Sequence, residues 1–92
     1  MIGPSSLKLG GNMAFEVIGH RLYVVTGVNR FFEIFDITDI KNPLLLAFKE
    51  VKGPANTPVE IEINQNRGLA FVSVAGEHEG LLSIFDINDF AP

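Results

Sequence analysis

The chain contains no cysteine and no tryptophan, and only 20% of its 92 residues are charged. Without cysteine there is neither a disulfide framework nor a thiolate-ligated zinc or iron-sulfur centre. Basic residues are scarce as well. Seven Lys and Arg are scattered from Lys8 to Arg67 against eleven Asp and Glu, for a formal charge of -4. That balance provides no basic stripe from which nucleic-acid counterions would be displaced, so nucleic-acid binding is not expected. No apolar run approaches the roughly 18 residues of a membrane helix, and membrane insertion is not expected either. The opening Met1-Ile2-Gly3-Pro4-Ser5-Ser6 has no basic n-region and no apolar h-region, so no signal peptide is read there. No serine lies in a nucleophile-elbow pattern, and Gly10-Gly11-Asn12 is too short for a phosphate loop and runs into a strand. The sequence therefore predicts no catalytic residue set and no cofactor.

What remains is apolar: 47% hydrophobic residues, with eight phenylalanines. The length suits one domain. At 10.1 kDa, area scaling gives roughly 5,300 Å² exposed against about 14,600 Å² unfolded, or about 64% burial for a compact globule.

Self-similarity organises this apolar content. Phe31-Phe32-Glu33-Ile34-Phe35-Asp36-Ile37-Thr38-Asp39 returns as Leu81-Leu82-Ser83-Ile84-Phe85-Asp86-Ile87-Asn88-Asp89, with Ile-Phe-Asp-Ile identical in both. Upstream, the segment from Leu22 to Gly27 matches that from Leu69 to Gly76. A looser match pairs Phe15-Glu16-Val17-Ile18 with Glu60-Ile61-Glu62-Ile63. Each segment is a short run of Val, Ile, Phe and Tyr bounded by Gly, Asn, Asp or Pro, the punctuation of an antiparallel meander. No 3.6-residue period lasts long enough for a helix.

Gly19-His20 predicts a tight hairpin, and Asn64 to Gly68 a longer turn at the equivalent place. Leu44 to Phe48 reads as a fourth strand of the first unit, whereas the second unit stops where that strand would begin. The linker from Lys52 to Pro58, with two prolines, cannot be a central strand. Apolar residues at odd and even positions in Leu22 to Val25 and Phe32 to Ile37 ask for burial on both sheet faces.

Four-stranded units of about fifty residues with two apolar faces predict an all-β chain of two antiparallel β-propeller blades, a partial propeller whose second blade lacks its outer strand. The boundaries are an arm over 1–12, blade 1 over 13–53 and blade 2 over 54–92. The competing reading is a sandwich or barrel of seven or eight strands, which has no need of a repeat.

The run Phe32-Glu33-Ile34-Phe35-Asp36-Ile37-Thr38-Asp39-Ile40-Lys41-Asn42-Pro43 resembles the signature of the LVIVD-type β-propeller repeat. Leu82 to Pro92 resembles it again, with Phe90-Ala91-Pro92 in place of Ile40 to Pro43. Secreted proteins of the choice-of-anchor type are similar, including a polar loop such as Gly76-Glu77-His78-Glu79-Gly80. The resemblance spans residues 13 to 92 and implies a recognition or scaffold role at the cell surface or outside the cell.

A propeller takes about four to eight blades, and two leave apolar outer faces that call for partners. The expected partners are further copies of the chain or other protein subunits. Candidate contact residues are Phe32, Ile34, Leu82 and Ile84, with Leu7 and Leu9 of the arm as an outer strand lent to a neighbouring blade. The expected function is that of a noncatalytic interaction or assembly module. The alternative is an enzyme or ion-binding domain whose site forms at the propeller axis from inner-strand carboxylates: Glu60 and Glu62, on one face by period two, and Glu16 of the first unit. Glu77-His78-Glu79 has metal-ligand chemistry, but three consecutive residues on a loop cannot all face one ion, so it reads as a solvated tip, and His20 as a turn residue. Asp36 and Asp86 recur at strand ends, where a carboxylate accepts main-chain N–H bonds from the following turn.

Overall fold

A computed structural model describes residues 13–26, 30–54, 57–76 and 80–88. Seven strands follow one another: β1 (Met13–Ile18), β2 (Arg21–Thr26), β3 (Phe31–Asp36), β4 (Leu44–Glu50), β5 (Val59–Asn64), β6 (Leu69–Val74) and β7 (Leu81–Asp86). They form a four-stranded sheet ordered β1-β2-β3-β4 and a three-stranded sheet ordered β5-β6-β7, all antiparallel. Arm residues Leu7 and Leu9 lie outside the described residues, as does the loop carrying Glu77, His78 and Glu79.

The turns follow from local chemistry. Gly19-His20 joins Ile18 to Arg21 directly, and a positive φ at Gly19 alone of the pair marks a type II′ hairpin, whose twist matches the strands it joins. The equivalent turn is longer. Asn64 faces Leu69 across four residues, and the Asn64 Oδ1 accepts the Arg67 N–H at 3.1 Å. Gly68 closes that turn in the left-handed region, where a Cβ would collide with the Asn88 side chain. In β4, Leu46 is an extra residue opposite the Ile34–Phe35 step, a bulge of the type that edge strands tolerate.

The expected Asp role is realised in both sheets. Asp36 Oδ1 accepts the Thr38 N–H at 2.8 Å and the Thr38 hydroxyl at 2.6 Å, and Asp86 Oδ1 accepts the Asn88 N–H at 2.9 Å. The backbone repeats too, with Ile37 N–H donating to His20 C=O and Ile87 N–H to Gly68 C=O, each at 2.8 Å.

One face of each sheet is committed to the other. Tyr23, Val25, Phe32 and Ile34 of the first pack with Val59, Ala70, Val72 and Val74 of the second, and Val51 and Ile87 complete this core. The Phe32 ring stacks on Phe85 at 5.1 Å between centroids and lies 6.4 Å from Tyr23. The linker is fastened at the same junction. The Arg30 guanidinium donates to Gly53 C=O at 2.8 Å, and Val51 N–H donates to Arg30 C=O at 2.7 Å. Gly53, at φ 139, passes so close to Val74 that a side chain there would displace it.

The pairing corrects one alignment read from the sequence. Glu16 faces Tyr23 and Glu62 faces Phe71, so Glu16 corresponds to Glu62 and Phe15 to Ile61. The looser sequence match, which set Phe15 against Glu60, is one residue out of step, and in a strand one residue exchanges the two faces. Alternating Glu and Ile in Glu60 to Ile63 make either phase plausible by composition. Hydrogen-bond pairing to a neighbour decides between them.

Candidate functional site

Each sheet has a second face that the other does not cover. On the first sheet this face carries Met13, Phe15 and Val17 of β1, Leu22 and Val24 of β2, and Phe35 of β3, the sets directly opposite each other in register. Leu22, Val24 and Phe35 form a small buried cluster, while Phe15 is 57% exposed and Phe48 of β4 60% exposed. Phe48 meets Phe31 edge-on at 5.7 Å. Glu33 sits in this apolar setting, opposite Phe48 and Val24, and desolvation holds its carboxyl above the ordinary glutamate range. Thr26 ends the face on β2, wholly buried, its hydroxyl without a hydrogen-bond partner among the described residues.

The free face of the second sheet carries Leu82, 63% exposed, Ile84, 56% exposed, and half-buried Phe71, with Glu60, Glu62 and Ser73 beside them. An open hollow on this side runs from Glu62 and Phe71 to the Asn64–Asn66 turn. A second hollow lies between the two hairpins, lined by His20, Arg21, Tyr23, Gln65 and Asn88 among others.

The candidate residues thus separate. Phe32 and Ile34 are each 1% exposed, at the centre of the contact between sheets. Their counterparts Leu82 and Ile84 face outward. Glu60 and Glu62 project from the free face of the second sheet, whereas half-buried Glu16 shares the inward face of the first with Ala14 and Ile18. Among the described residues, no three His, Cys, Asp or Glu side chains are grouped to hold a metal ion. Asp39 is engaged in its own turn, accepting the Lys41 N–H at 3.1 Å and the Asn42 side-chain amide at 2.9 Å.

Met13, Phe15, Val17 and Phe48 are surface residues that the repeat does not single out. The signal for the first three was the alternation Met13, Phe15, Val17 against Ala14, Glu16, Ile18. Its meaning depended on which face the second sheet would occupy, which alternation does not specify.

Register equates the two sheets position by position, and the equation decides how they meet. Tyr23, Val25, Phe32 and Ile34 correspond to Phe71, Ser73, Leu82 and Ile84, because each set occupies the same cross-strand pairs relative to Asp36 and Asp86. Val72, Ala70 and Phe85 correspond in turn to Val24, Leu22 and Phe35. The first sheet therefore buries one kind of face, and the second buries the other kind. The second sheet leaves exposed the kind that its neighbour has used, whereas on the first sheet the outward-facing Leu22, Val24, Thr26 and Phe35 are buried although the second sheet does not cover them. No family model matches the chain, and no curated protein or solved structure matches it.

Proposed function

We propose that the chain is a pair of β-propeller blades acting as a noncatalytic interaction and assembly module. The observation that carries this reading is the repeat itself: two sheets with matching register, matching Asp-capped strand ends, and a contact in which one face of the first covers the opposite kind of face of the second, with apolar side chains exposed on the outer side of each. Stacked blades meet in this way because every blade offers one face to the neighbour before it and the other to the neighbour after it. Resemblance of Phe32 to Pro43 to the LVIVD-type repeat points the same way and extends the reading to a surface or secreted scaffold.

Exposed apolar area supports assembly over isolation. Phe15, Val17, Phe48, Leu82 and Ile84 are each more than half exposed, and contiguous patches of such residues mark contact sites on soluble proteins. The test is light scattering over a concentration series together with binding of a naphthalene-sulfonate dye. Mass rising above 10.1 kDa with concentration, and dye displaced as it rises, is the expected result. A folded chain that remains a single 10.1 kDa species and binds no dye overturns the reading.

A further inference from the structure

Among the described residues four strands stand at sheet edges, β1 and β4 on the first sheet, β5 and β7 on the second. An edge presents unpaired N–H and C=O groups to any passing strand, and proteins that do not use an edge blunt it with charge, proline or a bulge. Three of the four are blunted. β1 carries Glu16, and β5 carries Glu60 and Glu62. β4 follows Pro43, is bulged at Leu46 and ends in Lys49-Glu50. β7 has none of these devices: Leu81-Leu82-Ser83-Ile84-Phe85 is uncharged up to the turn-capping Asp86, and its pairing with β6 is unbroken. On its other side it pairs with no strand among the described residues, and Leu82 and Ile84 are more than half exposed.

The first sheet shows what such an edge takes. β3 and β7 hold the same place in their sheets, each paired with the preceding strand through the same register and each ending in an Asp that accepts an N–H from the following turn. β3 takes β4 on its outer side, antiparallel, with Lys49 opposite Phe32, Phe48 opposite Glu33 and Leu45 opposite Phe35. We propose that the outer edge of β7 receives an extended segment of another polypeptide chain with the pattern of β4, antiparallel and in the register that β4 takes on β3. The proposal rests on the assembly reading above and supplies its contact: a strand added to an edge, held by main-chain hydrogen bonds and selected by alternate side chains.

Register and charge define the occupant. The places of Phe48 and Leu45 fall opposite Ser83 and Phe85. Side chains there continue the face of Ala70, Val72 and Val74, which meets the first sheet. They are required to be apolar. The place of Lys49 falls opposite Leu82, in one cross-strand row with Ser73 and Glu60, and Glu62 lies two residues along β5 on the same face. The strand residues of that face include no Lys or Arg, so a basic side chain opposite Leu82 meets charge of opposite sign, and an acidic one is disfavoured. The occupant is thus an extended segment about as long as the six residues of β7, apolar on one side and neutral or basic on the other.

The probe is a synthetic fluorescent peptide of residues 43–53, which contains β4, added to the full chain. The chain has no cysteine, so Leu82→Cys introduces its only thiol at an exposed site, with circular dichroism reporting that the variant is folded. In a thiol–disulfide buffer this chain is expected to join a peptide bearing Lys49→Cys on the order of tenfold faster than one bearing Glu50→Cys, because directly opposed residues come within disulfide reach and the next residue projects from the other face. With the unaltered chain, methylating one of the two alternate sets of peptide N–H groups is expected to weaken binding on the order of tenfold, and methylating the other set to leave it, since an edge strand bonds through every second residue. No peptide binding, equal cross-linking by the two peptides, or equal effects of the two methylated sets overturns the proposal. Cross-linking of the Leu82→Cys chain to its own copies in preference to the peptide makes β7 of a second copy the occupant and refutes the β4 pattern. Mass that rises with concentration in a chain that binds no peptide removes the edge contact and leaves the assembly reading standing.

Discussion

Thr26 concentrates several features of the molecule in one side chain. It is wholly buried, its hydroxyl has no partner among the described residues, and its counterpart in the second sheet is Val74. A buried hydroxyl that has surrendered its water hydrogen bonds without replacement costs about 1–3 kcal/mol. Thr26→Val removes that cost while keeping the branched shape, and the chain already places Val at the equivalent site. The expected result is a gain of about 1 kcal/mol, read as a higher urea midpoint with an unchanged slope. Glu33 shows the same principle in a titratable group. Its carboxyl is pushed up by desolvation, so the penalty of keeping it ionised is absent below the ordinary glutamate value and grows as the pH rises through the folded value.

At the scale of elements, the capping aspartates set where strands stop. Asp36 is held below its ordinary value of 3.8 chiefly by the Thr38 hydroxyl and then by the Thr38 N–H. Asp39 is held below the same value by the Asn42 side chain and then by the Lys41 N–H. Because the folded values are depressed, their contribution is complete above pH 3.8 and is lost as the pH falls through the lower folded values. Asp36→Ala is expected to flatten the loss of stability that sets in as the pH falls below 3.8, followed by urea titration at each pH. A variant curve parallel to the parent's contradicts the assignment.

These elements were also the most legible part of the sequence. The Ile-Phe-Asp-Ile repeat identified both strand ends, and Gly19-His20 and Gly68 identified both hairpins, because turn chemistry is local. The phase of β1 against β5 was not legible. Two alternating strands of similar composition align equally well in either phase, and only pairing with β2 and β6 separates Phe15 from Glu60. Two-residue differences in turn length conceal nothing of the faces, since a strand returns to the same face every second residue. For the same reason the sequence grouped Phe32 and Ile34 with Leu82 and Ile84 as one contact set. Their equivalence is real, yet one pair is inside and the other outside, a difference that arises only when one sheet meets the other.

Across the whole molecule, equivalent positions acquire unequal energetic weight. Phe32 is 1% exposed and stacked on Phe85, whereas its counterpart Leu82 is 63% exposed. Phe32→Ala is expected to cost about 3–5 kcal/mol through the cavity it leaves, most of the stability available to a domain of this size. Leu82→Ala, measured at concentrations where the chain is a monomer, is expected to cost under about 1 kcal/mol. Chemical denaturation of the two variants side by side checks this, and equal losses would mean that the second sheet's outer face is covered within the chain.

Among the described residues, every strand pairs only with strands adjacent to it in sequence, in the first sheet and again in the second. Such a chain closes short loops only, and short loops are the ones a polypeptide closes fastest and at least entropic cost. During synthesis, β1 to β4 can zip into their meander before β5 leaves the ribosome. The contact between sheets, where β1 and β2 approach β5 and Phe32 stacks on Phe85, is the long-range event that remains. Until it forms, Phe32 and Ile34 lack the cover of the second sheet, so a nascent first sheet presents the kind of apolar surface that Leu82 and Ile84 present in the finished protein.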